Sequence, residues 1–281
     1  MRATAKSCGA IPAERITAEP EDPAMGAKKA RVIARLDVKD ENLVKGIQLE
    51  GLRKLGPPND FARKYYASGI DEILYIDIVA SLYNRNNLSY IVRKTCEEIF
   101  IPVTVGGGLR SVEDVRHILS MGADKAAINT AAIRRPELIS EVAEAFGSQC
   151  MVLSVQAKKS RTQSGRWEAY FDNGREHSGY DVVEWVKRAE ALGAGEILLT
   201  SVDSEGLQRG ADLPLIEAVC SAVRIPVIYC GGIGKPADAV LAVKAGAAAV
   251  ASASVFHYGK YTPSDIKQAL TGAGTGVRQT W

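Results

Sequence analysis

One stretch of this sequence occurs twice. The segment IPVTVGGGLRSVEDV, residues 101–115, returns as IPVIYCGGIGKPADAV, residues 225–240. The likeness extends on both sides without a gap, since Gly122-Ala123 aligns with Gly246-Ala247 and DEIL at 71–74 aligns with GEIL at 195–198. The repeat is much longer than the unit of a solenoid array, so it predicts two fused half-domains.

Each copy is typical of a strand, a glycine turn and a helix. In the first copy, residues 102–105 are rich in β-branched side chains, residues 106–108 form the turn, and Ser111 can cap the following helix. Glycines let the backbone approach a ligand closely, and the free N–H groups at a helix start attract an anion. A single glycine triplet is usually only a tight turn, but two matched copies favour a pair of phosphate sites.

Strand and helix signals alternate from Arg31 onward. We expect strands at 32–37, 72–77, 102–105, 125–128, 151–155, 196–200, 226–229 and 248–251, with amphipathic helices such as 112–121 and 181–192 between them. Eight such units predict an α/β fold, a (βα)8 TIM barrel built from two duplicated half-barrels. A doubly wound open sheet is the main alternative, but neither glycine turn has the GxGxxG spacing with an acidic residue downstream.

Length and composition suit one closed domain. The chain has 281 residues and 46% hydrophobic content, enough for one barrel at 29–281. Residues 1–28 combine prolines with both charges and no apolar period, which predicts a disordered tail rather than a secretory or transit peptide. Met25 is therefore a candidate start of translation.

The composition also argues against several classes of protein. A net charge of +2 gives no electrostatic case for nucleic acid, and no apolar run reaches the ~18 residues of a membrane span. The five cysteines and three histidines show no metal-binding spacing. We therefore expect a cytoplasmic protein with reduced thiols, without a metal or other cofactor.

In a barrel of this kind, chemistry collects where the strands end. Two phosphate pockets are expected there: Gly107, Gly108, Asn129 and Thr130 in the first half, and Gly231, Gly232, Ala253 and Ser254 in the second. Other polar residues expected at this end are Asp37, Asp77, Gln156, Thr200 and Ser201. One pocket in each half would suit a ligand with two anionic ends, although small residues can also serve only close packing of helix on strand.

Asp37 is the first candidate for catalysis. It ends an otherwise apolar strand, where a carboxylate must face a cavity or be neutralised. It can therefore act as a general acid or base. Residues 158–180 alternate around WEAYF and carry Asn173-Gly174, so they predict a hairpin beside this end, either covering the ligand or lying on the surface. We expect His257 to be a packed or capping side chain, and His117 and His177 to be solvated.

Several motifs resemble one family. RVIARLDVKDENLVKG, YIDIVAS, TVGGG, GADKAAINTAA, FGSQ, GAGEILLTSVD and ASASVFHY are similar to the cyclase subunit of imidazole glycerol phosphate synthase, an enzyme of histidine biosynthesis, over Arg31 to about Leu270. The resemblance implies a barrel whose N-terminal face docks a glutaminase subunit, forming a heterodimer. Ammonia from that partner would react with a ribulosyl-aminoimidazole bisphosphate to give imidazole glycerol phosphate and an aminoimidazole carboxamide ribotide.

The resemblance also assigns roles to single residues. Asp37 matches the family's first catalytic aspartate, and Lys45 matches the lysine of its mobile first loop. Asp203 and Gly206 keep their family places beside the substrate, with Gly206 among the phosphate-binding residues. The family's ammonia gate, a ring of charges at the start of the strands, is matched by Arg31, Glu72, Lys125 and Glu196. Two charges of each sign can pair there, and a purely structural ring is the alternative.

Three positions depart from the family's pattern. Gln156 stands where the second catalytic aspartate is expected, Arg35 replaces a small residue, and Glu205 replaces an aspartate. An amide cannot exchange a proton as a carboxylate does, and losing a general acid or base costs roughly 10²–10⁴-fold in rate. Gln156 can still orient substrate or ammonia by hydrogen bonds.

Several functions therefore stay open at this point. One is the histidine-pathway cyclase, with Asp37 doing most of the proton transfer. Another is a diverged paralogue that delivers ammonia for sugar amidation in surface-glycan biosynthesis, and a third is a non-catalytic barrel that only activates a glutaminase. The related sugar isomerase of the same pathway is disfavoured, because it lacks the charged gate and the Lys45 loop.

Overall fold

Eight parallel strands close into a barrel in the computed structural model, which describes residues 29–80 and 88–278. Neighbouring strands pair in parallel all the way around, and the last strand pairs with the first, starting at Arg31 and Ala249. In order around the barrel the strands are β1 (Arg31–Lys39), β4 (Glu72–Asp77), β5 (Val103–Gly106), β6 (Lys125–Ile128), β7 (Met151–Lys159), β10 (Glu196–Ser201), β11 (Val227–Cys230) and β12 (Ala249–Ser252). The predicted (βα)8 TIM barrel is confirmed.

Helices connect the strands on the outside of the barrel. They are α1 (Pro58–Ala67), α2 (Leu88–Glu98), α3 (Val112–Ser120), α4 (Thr130–Arg134), α5 (Glu137–Phe146), α6 (Val182–Ala191), α7 (Leu213–Ala222), α8 (Pro236–Lys244), α9 (Ser254–His257) and α10 (Pro263–Gly272), with a 3₁₀ turn at Ser148–Cys150. None of the described helices is long and apolar enough to cross a membrane.

Alternation along the strands makes two cores. On β1, Val32, Ala34 and Leu36 pack against the helices, whereas Ile33 faces the barrel interior. The interior layer is apolar and consists of Ile33, Leu74, Ala127, Val152, Leu198, Ile228, Cys230, Ala249 and Ala251. Side chains two residues apart share a face of a strand, so inward positions on β1 recur at 31, 33, 35 and 37.

The two half-barrels stabilise their glycine turns with the same hydrogen bonds, from backbone N–H groups to an aspartate. The carboxylate of Asp114 accepts hydrogen bonds from the N–H groups of Arg110 and Ser111, just ahead of α3. Asp238 accepts in the same way from Gly234 and Lys235, ahead of α8. Ser111 caps α3, as predicted, by accepting from Asp114 N. The duplicated sequence therefore builds duplicated turns.

Two hairpins rise from the C-terminal end of the barrel. β2 (Asn42–Ile47) and β3 (Glu50–Gly56) follow β1, and β8 (Trp167–Phe171) and β9 (Glu176–Asp181) follow β7. The second hairpin confirms the prediction for residues 158–180, whereas the first was expected only as a loop. Both hairpins lengthen their barrel strand beyond the predicted end, because Lys39 pairs with Asn42 and Ala157 pairs with Ala169.

Some expectations fall outside the described residues. These are the tail at 1–28 and the start at Met25; residues 81–87 and 279–281 are likewise not described. The domain limits, a tail at 1–28 and a barrel at 29–281, stay predictions.

Candidate active site

Strand β1 carries two charged side chains on its inward face near the C-terminal end of the barrel. Arg35 and Asp37 are each 3% exposed. Arg35 Nε donates to Asp37 Oδ1 at 2.8 Å, and Arg35 Nη1 donates to Thr200 Oγ1 at 3.2 Å. Because β1 and β10 are not neighbours, the arginine side chain crosses part of the barrel interior above the apolar layer.

Lys45 and Glu205 complete a buried charged cluster with this pair. Lys45 lies on β2, which the antiparallel pairing of Val44 with Asp37 holds against β1. Lys45 Nζ donates to Glu205 Oε1 and lies 3.9 Å from Asp37 Oδ2. We call Arg35, Asp37, Lys45 and Glu205 the charged cluster. It contains two cations and two carboxylates, so burial of each charge is compensated by an opposite one.

The environment keeps Glu205 and Lys45 ionised. Burial alone would raise the pKa of Glu205, but Lys45 and Arg35 outweigh burial and hold that pKa at about 2. Burial would lower the pKa of Lys45, yet Glu205 and Asp37 raise it above its usual value. Burial raises the pKa of the neighbouring Cys230 thiol to about 12, so this thiol stays neutral.

The first half of the barrel contains an open cavity of about 260 Å³ at its C-terminal end. The sequence-predicted residues that line it are Asp77, Gly107, Gly108, Asn129, Thr130 and Gln156. Gly107 has φ +94°, and a Cβ there would lie 2.1 Å from the carbonyl oxygen of Asp77. Only glycine fits this turn, which leaves its backbone accessible to a ligand.

Two predicted residues of this cavity are held by hairpin β8–β9. Gln156 Oε1 accepts from Gly174 N at 2.7 Å, and Thr130 Oγ1 lies 3.2 Å from Asp172 Oδ1. Gln156 therefore fixes the hairpin turn while lining the cavity. As an amide it can orient a bound group, but it cannot take up a proton near neutral pH.

The second half of the barrel is much tighter. Its cavity of about 10 Å³ is lined by all the predicted residues of the second pocket: Gly206, Gly231, Gly232, Ala253 and Ser254, together with Glu205. That volume is at the lower limit of the ~10–15 Å³ that a single water needs. The backbone of residues 206–210 closes over the turn, since Gly210 N donates to Gly232 O at 2.9 Å.

A ring of four charges closes the other end of the barrel. Arg31 bonds to both Glu72 and Glu196, and Lys125 Nζ lies 2.8 Å from Glu196 and 3.6 Å from Glu72. Opposite signs alternate around this ring. The glutamates are almost fully buried, whereas the two cations are partly exposed at the N-terminal face. The four residues matched to the family's gate do meet at the barrel axis.

Comparison with known sequences agrees with this geometry. Residues 31–262 match the family model described as "Histidine biosynthesis protein". The chain belongs to this family.

The relatives in this family share one name. The chain is 61% identical over 205 residues to "Imidazole glycerol phosphate synthase subunit HisF" of Legionella pneumophila, covering 73% of this chain and 96% of that relative. It is 48% identical over 252 residues to the protein of that name from Corynebacterium diphtheriae, and 50% identical over 252 residues to that from Thermobifida fusca, covering 88% of this chain and 98% of each relative. The resemblance found in the motifs is confirmed.

In this member of the histidine biosynthesis family, two other predicted residues, Asp203 and Ser201, line neither glycine pocket, although the backbone of Ser201 adjoins Gly231. Asp203 Oδ2 accepts from Lys159 N, and Asp203 lines a separate cavity between the two hairpins. Ser201 Oγ donates to Ser204 Oγ at 3.1 Å. Asp77 lines the first cavity, but its Oδ1 also accepts from the N–H groups of Val79 and Ala80. Asp77 thus shapes the loop that follows β4.

Sequence reasoning missed the basic residues of the first cavity. Arg110, Arg134 and Arg135 line it. Arg110 donates to Ala80 O, and Arg134 pairs with Asp172 at 3.0 Å. The signal was present, because Arg110 follows Gly108 by two residues, and Arg134 and Arg135 follow Thr130 by four and five residues. Their positive charge favours an anionic ligand in this cavity.

The structure also places the histidines and potential metal ligands. His257 is 9% exposed, and its Nδ1 lies 2.6 Å from Tyr65 Oη, which makes it a packed side chain. Within the described ranges, 29–80 and 88–278, no group of three or more His, Cys, Asp or Glu side chains could hold a metal ion.

Proposed function

We propose that the chain is the cyclase subunit of an imidazole glycerol phosphate synthase. It would convert a ribulosyl-aminoimidazole bisphosphate, with ammonia, to imidazole glycerol phosphate and an aminoimidazole carboxamide ribotide. The observation that carries the proposal is that the chain is about half identical to relatives of that name over nearly their whole length. The buried pair of Asp37 and Lys45, with Lys45 Nζ 3.9 Å from Asp37 Oδ2, supports it.

Each group has a role in this proposal. Asp37 is the general acid or base, Lys45 closes the first loop over the substrate, and Gln156 orients the reacting group through its amide. The glycine turns, with Asn129, Thr130 and Ser254, take the phosphate ends of the substrate. No metal or other cofactor is needed for these steps.

The partner in this proposal is a glutaminase. It would dock on the N-terminal face as the second subunit of a heterodimer and deliver ammonia through the ring of Arg31, Glu72, Lys125 and Glu196. Neutral ammonia can enter the apolar layer beyond the ring at much lower cost than ammonium, whose charge would be desolvated. A cytoplasmic location, where glutamine is available, fits this activity.

A second candidate function is ammonia delivery without cyclisation. Two observations favour it: Gln156 carries no carboxylate, and Asp37 is bonded to Arg35 at 2.8 Å. To act as a general base, Asp37 must first break its hydrogen bond to Arg35. In this version the barrel passes ammonia to a sugar activated by another protein, or it only activates a glutaminase.

One assay separates these candidates. The purified chain is given the bisphosphate substrate and an ammonium salt, and product formation is compared among wild type, Asp37→Asn and Gln156→Asp. For a pathway cyclase we expect measurable wild-type turnover, loss of roughly 10²-fold or more in Asp37→Asn, and a gain in Gln156→Asp. Turnover that arises only in Gln156→Asp would instead favour ammonia delivery.

A further inference from the structure

The turns of the two hairpins meet at the C-terminal end of the barrel. Asn173 Nδ2, in the turn of hairpin β8–β9, donates to Leu49 O, in the turn of hairpin β2–β3, at 3.3 Å. Leu49 is only 5% exposed, although it lies in a turn. Gly174 has φ +76°, and a Cβ there would lie 3.3 Å from Leu49 Cδ1 and 3.4 Å from Val202 Cγ1. The missing side chain at Gly174 therefore lets Leu49 pack against the second hairpin.

Gly174 is held in this position from the barrel. Its N–H donates to Gln156 Oε1 at 2.7 Å, and its carbonyl oxygen accepts from Lys158 Nζ at 2.6 Å. Gln156 and Lys158 both belong to β7, so they tie the turn of the second hairpin to a barrel strand. Because Gly174 is also the residue that packs against Leu49, a single glycine links Gln156 to the first hairpin.

The first hairpin carries Lys45 beyond its pairing with the barrel. β2 pairs with β1 only over Asn42–Val44. Further along, Gln48 N donates to Glu205 O at 2.9 Å, and Gln48 Nε2 donates to Asp203 O at 3.1 Å. Lys45 is 4% exposed, and its Nζ donates to Glu205 Oε1. A two-stranded hairpin is marginally stable by itself, so the contacts of its turn help to keep Lys45 buried.

We propose that Gln156 is a positioning residue for Lys45: through Gly174 it fastens the turn of the first hairpin and so keeps Lys45 buried beside Glu205. This role rests on the proposed function, because that function is what gives Lys45 its place over the substrate. A glutamine has the length to reach Gly174 from β7. An aspartate at the same position is one methylene shorter and does not extend as far toward this turn.

The test measures how readily Lys45 is acetylated. Full-length protein, without substrate or partner, is treated with acetic anhydride, and the rate at Lys45 is followed by mass spectrometry. Gln156→Asn keeps the amide but shortens its reach, so we expect Lys45 to react about tenfold faster than in wild type, as the loss of one hydrogen bond implies. Gln156→Glu keeps the length and the acceptor oxygen, and it should react as slowly as wild type.

Two controls separate this link from general loosening of the fold. Lys267 is 6% exposed and bonded to Asp71 at 2.6 Å, away from both hairpins, so its acetylation should be equally slow in every variant. Ser178→Ala removes a hydrogen bond to Ala169 O inside hairpin β8–β9 but away from its turn. In this variant Lys45 should react as slowly as in wild type.

Asn173→Gly tests the link from its other end, even if Gln156→Asn does not fold. Glycine adopts the φ of +59° at this position without strain, and the substitution removes the hydrogen bond to Leu49 O. We expect faster acetylation of Lys45 here too.

An unchanged rate at Lys45 in Gln156→Asn, or in Asn173→Gly, would overturn the proposal. So would equal acceleration in Gln156→Glu, in Ser178→Ala or at Lys267. None of these rates depends on turnover. A chain that lacks cyclase activity but shows the expected rates would refute the proposed function and leave the link between Gln156 and the first hairpin standing.

Discussion

Arg35 changes what Asp37 can do. The aspartate was expected either to face a cavity, as an acid or base, or to be neutralised, and the structure places it inward and bonded to a guanidinium. This contact follows from spacing, because residues two apart on a strand share a face. Arg35 could be recognised in the sequence as a departure from the family, but its bonds to Asp37 and Thr200 depend on how β1 and β10 lie across the barrel.

His257 is buried beside Tyr65, and burial lowers its pKa to about 4 from an ordinary 6.5. Because the folded pKa lies below the unfolded one, its contribution to stability is complete above about pH 6.5 and is lost as the pH falls toward 4. We expect the free energy of unfolding of wild type to fall between about pH 7 and 4.5 by about 2–3 kcal/mol more than that of His257→Gln. Urea unfolding at both pH values measures this difference.

The control for that measurement is His177→Gln, which removes an exposed histidine bonded to Glu168. It should show the same loss of stability in acid as wild type. An equal loss in wild type and His257→Gln would contradict the prediction.

At the scale of elements, the strand–turn–helix unit was predictable because its signals are local. Glycines at the turn and an acid three residues after the cap position recur in both halves, and the structure shows the same bonds to Asp114 and Asp238. Hairpin β8–β9 was predictable from alternation and Asn173-Gly174. Hairpin β2–β3 was not, because its pairing contains register shifts and β3 is largely exposed, which weakens the alternation in sequence.

The first glycine turn allows a sharp test of close approach. Gly107→Ala adds a Cβ that would lie 2.1 Å from Asp77 O, whereas Gly165, also at positive φ, has no atom within 4 Å of such a Cβ. We expect Gly165→Ala to cost about 1–2 kcal/mol from backbone strain alone, and Gly107→Ala to cost at least about 2 kcal/mol more. Denaturant unfolding gives both values. Equal costs would show that the turn at Gly107 has room to adjust.

At the scale of the molecule, the barrel separates two charged layers by an apolar one. The ring at the N-terminal end and the charged cluster at the C-terminal end lie on either side of Ile33, Leu74, Val152, Leu198 and Ile228. A small neutral molecule can cross such a layer, whereas an ion would have to lose its hydration, which costs free energy. This arrangement fits the ammonia path of the proposed function.

The role of the ring can be tested by measuring how closely glutamine hydrolysis is coupled to product formation. Lys125→Ala removes one cation and leaves Arg31 to hold both Glu72 and Glu196. With the glutaminase partner present, we expect more glutamine to be hydrolysed per product formed than in wild type. The reason is that the ring through which ammonia would pass is no longer ordered in this variant. The measurement is glutamate released against product formed.

Lys187→Ala is the control for the coupling test. It removes an exposed lysine paired with Glu184 on α6, away from the barrel axis. The ratio of glutamate to product should match that of wild type in this variant. A ratio that is also unchanged in Lys125→Ala would argue for a purely structural ring.

The sequence alone determined the barrel, its duplication and most residues of the candidate site. Strand periodicity, glycine turns and polar residues at strand ends are all patterns among residues that are close together in the sequence. Asp37, Lys45, Thr200 and Glu205 were all named from it, as were the four residues of the ring. Tertiary structure decided how they pair. Arg35 meets Asp37 on one strand, but Lys45 meets Glu205 across 160 positions of chain, and Gln156 meets Gly174 through a hairpin. These last two contacts join residues far apart in the chain, so no local signal could reveal them.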